Sequence, residues 1–404
     1  MNARGAPARC AFRPGPASYP GCMGSDPVGL FLCGDVMLGR GVDQILPHPG
    51  DPALRERFVH DARSYVALAE SVSGPIPHRV DYAYPWGVAL GALAEAAPDV
   101  RIVNLETAVT VNHEFAPGKA VHYRMHPDNL PSLAAVRPDV TVLANNHVLD
   151  HGRRGLDDTL AALHGVAPTD TGPGTGMGPG LRTVGAGRDA QEAERPAVVD
   201  LPGGVRVVVY AIGMASSGIP RDWAATARRG GVHFAASPTG TTAARLAARV
   251  REAKKPGDIV VVSVHWGSNW GYALSRADVD FAHTLIDNGA DIVHGHSSHH
   301  PRPLEVYRGR LVLHGCGDLI NDYEGITGYE QYRDDLRLLY LPTVTPDGTL
   351  QEVRIIPLRA RRMRLEHASR RDARWLHDVL GRHSRPYGAH VDLDEDGTLV
   401  ASPA

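Results

Sequence analysis

Eight side chains of metal-ligating type stand at the ends of short apolar runs: Asp35, Glu106, Asn146, His147, His265, His294, His296 and His299. Carboxylates, an amide oxygen and neutral imidazoles are a donor set that suits Mn, Fe or Zn, and the lack of a Cys-x-x-Cys pair disfavours a closed structural zinc site. A carboxylate placed between two cations bridges them, and cations roughly 3.5–4 Å apart can hold both a phosphoryl oxygen and an attacking hydroxide. A histidine that is not itself a ligand would then protonate the leaving oxygen. Each residue alone also has a plainer reading. Asp35 could accept hydrogen bonds in a turn or cap a helix, and Asn146-His147 could be an Asx-turn followed by a core histidine. Asp150 could orient His147 or cap a helix. Arg40 carries a planar fork suited to phosphate or carboxylate, and suited equally to a structural ion pair. Trp266, Trp270 and Tyr272 could wall a substrate pocket or pack in the core.

The runs that must position these groups read VGLFLC, RIV, VTVLA, DIVVVSV, ADIV and RLVLH. Continuous apolar runs of this length suit strands buried on both faces, as in a helix-covered sheet. Between them, residues 88–96, 128–136, 156–164 and 276–288 read as helices. So does TTAARLAARVREAKK (241–255), with Leu246 and Val250 four apart and Lys-Lys-Pro-Gly as a stop signal. Strands alternating with helices predict an α/β fold, in which ligands bind beyond the carboxyl ends of the strands. Residues 26–360 are expected to form this domain. Residues 1–25 read as a disordered Pro/Gly/Ala/Arg-rich tail, 165–180 as a Gly/Pro-rich surface insertion, and 361–404 as a C-terminal helix and tail.

A formal charge of −3 over 404 residues, with no basic cluster interleaved with aromatics, argues against nucleic-acid binding. Only Lys119, Lys254 and Lys255 are lysines, so 42 − 3 = 39 basic residues are arginine, which reads as the base composition of a GC-rich genome. Four scattered cysteines give no disulfide framework. No run approaches the length of a membrane span, and the N-terminus lacks an apolar signal-peptide core, so the expectation is a cytoplasmic protein with at most peripheral association to the envelope.

Five motifs carry a resemblance: Gly-Asp-Val-Met-Leu-Gly-Arg (34–40), Asn-Leu-Glu-Thr (104–107), Ala-Asn-Asn-His-x-Leu-Asp-x-Gly (144–152), His-Trp-Gly (265–267) and Gly-His-Ser-Ser-His (295–299). In order and spacing they resemble the CapA family of bacterial accessory proteins of capsule polyglutamate synthesis. The resemblance implies a calcineurin-like metallophosphoesterase fold, a four-layer αββα sandwich. HWGSNWGY, HGHSSHHPRP and GCGDLINDYEG look most like the actinobacterial polyglutamine synthesis accessory proteins.

The resemblance makes Asp35 a ligand of one metal, Glu106 the bridging acid, Asn146 the amide ligand of a second metal and His147 the catalytic histidine. His265 matches the lone histidine of the next strand end. The paired histidines of the last motif fall either on His294 and His296 or on His296 and His299. One departure is Met37, which stands where the family of phosphoesterases usually has the histidine of Asp-x-His. The implied activity is metal-dependent hydrolysis of a phosphoester or related bond, with one or two divalent cations, in the handling of a polyglutamate or polyglutamine polymer. The alternative is a non-catalytic module that binds the anionic or amide polymer, or its synthase.

Overall fold

The computed structural model describes residues 26–165 and 181–404; the expectations for residues 1–25 and 166–180 lie outside them. The run VGLFLC forms β1 (Val28–Val36), in which Leu30 to Val36 are completely buried. Beside it, in parallel and in this order, lie β2 (Val100–Leu105), β3 (Val140–Val142) and β4 (Arg182–Val184). A strand flanked by neighbours and covered on both faces has no polar face to show, and this explains the unbroken apolar sequence.

A second sheet contains β5 (Ala197–Asp200), β6 (Arg206–Met214), β7 (Phe234–Ala235), β8 (Asp258–His265), β9 (Ile292–His296), β10 (Leu304–Tyr307) and β11 (Arg310–Leu313), in the order β7-β6-β8-β9-β11-β10 with β5 beside β6. Here the period of two sorts side chains between layers. Val207, Val209, Ala211, Ile259 and Val261 point into a core shared with the first sheet. Their neighbours Val208, Tyr210, Ile212, Val260 and Val262 pack instead under the helices Gly240–Ala253 and Arg276–Asp287.

Among the described residues, six helices of two or more turns cover the outer faces: α1 (Arg63–Ser73), α2 (Ala89–Ala96), α3 (Gly152–Gly165), α4 (Gly240–Ala253), α5 (Arg276–Asp287) and α6 (Arg370–Ser384). Leu246 and Val250 of α4 and Phe281 and Leu285 of α5 close the second sheet. Tyr65 and Val66 of α1, Leu93 of α2, and Leu156 and Leu160 of α3 join the core of the first. The layers therefore run helix, sheet, sheet, helix, the four-layer αββα sandwich. The stretch expected as one helix over 128–136 is two separate turns, Pro127–Asn129 and Pro131–Ala134, each begun by a proline that cannot continue a helix from before it. Among the described residues no helix is long and apolar enough to cross a membrane.

The chain then returns to β1. β12 (Asp318–Ile320) pairs in parallel with its end, and β13 (Leu336–Val344) pairs antiparallel with its beginning. β14 (Leu350–Arg361), β15 (Arg364–His367), β16 (Ala389–Leu393) and β17 (Leu399–Pro403) widen the same sheet to ten strands. Residues 361–404 thus extend the sheet, with α6 burying Leu376 and Leu380.

Where β1 passes from one neighbour to the other sits Gly34. A Cβ there would lie 1.6 Å from the Gly317 carbonyl oxygen, and the next amide, of Asp35, donates to that same oxygen at 3.0 Å. Only glycine allows this approach. Gly34→Ala should force β1 and β12 apart and lower the unfolding free energy by about 3 kcal/mol, measured by denaturant titration; an unchanged midpoint would contradict the packing described.

Candidate metal centre

Strands β1, β2, β8 and β9 end at one edge of the sandwich and deliver Asp35, Glu106, His265 and His296 there. Among the described residues, one group of three metal-type donors converges: single ligand atoms of Asp35, His265 and His296 lie within 4.8 Å of one another, and all three residues are buried. His265 and His296 are direct cross-strand neighbours. Their Nδ1 atoms face each other at 2.6 Å, and Asp35 Oδ1 lies 4.0 Å from the first and 3.7 Å from the second.

Burial, reinforced by the neighbouring histidines, holds both imidazoles well below the usual histidine range, so both are neutral with lone pairs available. Burial and the nearby Asp318 charge push the Asp35 carboxyl up to about 7. Glu106, raised by burial and by Asp35, has Oε2 buried without a partner. Buried acids and neutral imidazoles aimed at one point, with an orphaned carboxylate oxygen beside them, fit a divalent cation, whose charge would offset this desolvation.

The surrounding groups fix these side chains. Asn104 Nδ2 donates to Asp35 Oδ1 at 2.6 Å, the Ser297 amide donates to Asp35 Oδ2 at 3.1 Å, and Ser263 Oγ meets His296 Nε2 at 2.8 Å. Asn145 is a staple. Its Nδ2 donates to Asn104 Oδ1 and the Leu105 carbonyl at 3.1 and 2.8 Å, while its Oδ1 accepts the amides of His147 and Val148. Sequence reasoning quoted both asparagines inside motifs without giving either a task.

Glu106 faces a second half of the site. Its Oε1 lies 3.7 Å from His265 Nε2 and 3.8 Å from His147 Nε2, and Asn146 Oδ1 is 2.9 Å from His265 Nε2. His147 Nδ1 is 2.5 Å from Asp150 Oδ2. Burial pulls this imidazole down to about 4; burial would raise Asp150, but His147 and Lys119 hold it at about 2. Asp150 is therefore the ionised acceptor, which leaves Nε2 of His147 turned toward Glu106.

The remaining residues singled out from sequence are placed elsewhere. His294 spends Nε2 on the Cys33 carbonyl at 2.7 Å and Nδ1 on Ser263 Oγ at 3.2 Å, outside the converging group. His299 binds the Asp318 carboxylate through Nδ1 at 3.0 and 3.1 Å and contacts Asn269 through Nε2 at 3.0 Å. Met37 is buried, with its sulfur 3.9 Å from the Tyr323 hydroxyl. Arg40 does not reach the cleft. Its guanidinium donates to Asp322 at 2.8 and 2.5 Å and to Glu56 at 2.9 Å, lies 3.6 Å from the Tyr65 ring centre, and is 3% exposed. Trp266 packs against Phe281, while Trp270 and Tyr272 stand half-buried in an aromatic wall with Tyr332.

A cavity of about 290 Å³ opens onto the site, lined by Glu106, Asn146, His147, Ser297, His299 and Tyr323. Lys119, which sequence reading passed over, is also on its wall. The one available signal was its rarity, a lysine in a chain that uses arginine almost throughout. A larger groove of about 730 Å³ between α2 and β14 brings together no comparable donor group among the described residues.

Replacing Arg40 by methionine would leave Asp322 and Glu56 buried without their cation. The loss should be about 3–5 kcal/mol of stability, read from urea unfolding, and a loss below about 1 kcal/mol would show that the pair is solvated.

Residues 29–323 match the family model described as bacterial capsule synthesis protein PGA_cap. A protein of Mycobacterium tuberculosis named "Probable polyglutamine synthesis accessory protein" is 52% identical over 381 residues, covering 94% of this chain and 97% of its own length. The PGA biosynthesis protein CapA of Bacillus subtilis is 28% identical over 245 residues, 60% of this chain and 58% of that one. The capsule biosynthesis protein CapA of Bacillus anthracis is 24% identical over 315 residues, 77% of this chain and 63% of its own.

Proposed function

The chain belongs to the PGA_cap family of bacterial capsule synthesis proteins, and from that membership we propose that it is an accessory protein in the synthesis, transport or localisation of a polyglutamate or polyglutamine envelope polymer. Its contribution is metal-dependent hydrolysis of a phosphoester or related bond, on the polymer or on a component of its synthase. The carrying observation is the convergence of Asp35, His265 and His296 beside the unpartnered oxygen of Glu106.

In this reading Asp35, His265 and His296 hold one divalent cation, Mn, Fe or Zn, and Glu106 with Asn146 faces it from the adjoining wall. A cation bound there supplies Lewis acidity to an oxygen of the substrate and lowers the pKa of water. His147, held by Asp150 in the tautomer that carries its proton on Nδ1, presents Nε2 to the cleft; it takes up a proton there and returns it to the leaving oxygen. His294 and His299 support the site from outside, through Ser263 and through Asp318.

Met37 favours a second reading. A buried thioether at the place of a usual ligand weakens one half of a two-metal site, and a chain so altered could bind polymer or synthase without turnover.

Metal analysis of the purified full-length protein together with a phosphoester screen separates these. The expected result is at least one bound Mn, Fe or Zn that His265→Ala loses, and turnover that His147→Ala lowers about 100-fold or more while keeping the metal. Metal without turnover in the native chain supports the binding reading. A native chain without metal defeats the hydrolytic reading.

A further inference from the structure

We infer that Lys119 is the substrate-contacting cation of this cleft, binding an oxyanion of the substrate opposite the metal cluster. The inference rests on the metal reading above.

Lys119 is the one Lys or Arg among the described residues lining the cavity. Arg40, the sequence-level candidate for the same task, is sealed between Asp322, Glu56 and Tyr65. The segment that carries Lys119 is fastened at both ends to one residue: the Ala116 amide donates to the Asp150 carbonyl at 2.8 Å and the Tyr123 amide donates to Asp150 Oδ2 at 2.7 Å. Gly118, at φ 74°, makes the turn that brings the next side chain inward, and a Cβ there would meet nothing within 4 Å.

The ammonium lies 2.9 Å from Asp150 Oδ1, donates to the Asn146 carbonyl, and sits 5.1 Å from the centre of the Trp223 ring. Its distance to His147 Nδ1 is 3.4 Å, but that nitrogen's proton already belongs to Asp150. An ammonium has three N–H donors and is a compact, strongly hydrated charge. Two donors are met by Asp150 and Asn146; the third has no better acceptor than what enters the cavity. Asp150 pairs with the lysine and also accepts from His147 Nδ1 and the Tyr123 amide, so the ammonium shares this carboxylate with two neutral donors. Glu106 lines the same cavity, and the buried Asp35 carboxylate is its neighbour. With a divalent cation bound they form a near-neutral face, and an arriving oxyanion is then drawn to the lysine. The shared chemistry of the ligand is a phosphoryl or carboxylate oxygen.

The test uses full-length protein loaded with Mn²⁺, titrated calorimetrically with inorganic phosphate in one arm and with a glutamate tetrapeptide in the other. The variants are Lys119→Met, which keeps an apolar stem over Trp223, and Lys119→Arg, which keeps the charge. Metal content and thermal midpoint are measured on each. We expect equal metal in all three proteins, and for at least one probe an affinity about tenfold or more weaker in Lys119→Met, restored in part by Lys119→Arg. Dependence seen with phosphate alone assigns a phosphoryl group, and dependence with the peptide alone assigns a carboxylate. Equal affinity of Lys119→Met and native protein for both probes, or no binding of either, overturns the inference. So does loss of metal in Lys119→Met, which would make the lysine a holder of its loop. A native chain that takes up no Mn²⁺ overturns the metal reading instead; Lys119-dependent binding that persists in it would leave the lysine's role standing.

Discussion

A carboxylate without access to water controls this structure. Asp35 is fully buried at the end of the central strand, with Asp318 beside it on the neighbouring strand and Glu106 at the end of the next. Taking acids out of water is costly unless each oxygen finds a donor or a cation. The fold answers with local donors: the Asn104 amide and the Ser297 N–H for Asp35, and His299 and Asn321 for Asp318. Glu106 receives less: its Oε2 has no partner, and His265 Nε2, 3.7 Å from Oε1, is turned to the Asn146 amide oxygen. The desolvation left uncompensated is the physical content of the claim that a cation belongs there.

A second buried charge is handled differently. Arg40 is neutralised entirely within the protein, by two carboxylates and three tyrosine rings drawn from residues 56, 65, 123, 322 and 323. It ties three excursions of the chain to the turn after β1, and one of them brings Tyr323 to the wall of the cleft. One arginine thus braces the chain beside the candidate site without entering it.

The strand-end placement of Asp35, Glu106, His265 and His296 was legible because buried parallel strands are continuous apolar runs and their last residues must be polar. That His296, and not His294 or His299, converges with Asp35 and His265 was not legible from spacing, since it depends on depth. Alternation puts His294 and His296 on one face of β9, but His294 lies one repeat further in, where the Cys33 carbonyl of the facing sheet occupies it. His299 lies beyond the strand, in reach of Asp318, a partner nineteen residues away. Arg40 stayed open between a substrate contact and an ion pair for a related reason: a sequence shows that a cation exists, while its availability depends on partners as distant as Asp322. The strands after residue 361 were missed because short edge strands such as Ala389–Leu393 alternate buried and exposed residues over too few positions to stand out.

The three partners of β1 come from distant parts of the chain. β2 is made some seventy residues after β1, whereas β12 and β13 arrive only with residues 318–344. During synthesis one edge of an almost wholly apolar strand therefore waits for its partner until most of the protein has been translated, and so does the turn at Gly34 that Gly317 must close. Closing so long a loop is slow, and an unpaired apolar edge invites association with other chains. The sandwich completes the edge that carries Asp35, His265 and His296 among its last folding events, and cellular yield will depend on how well that waiting strand is protected.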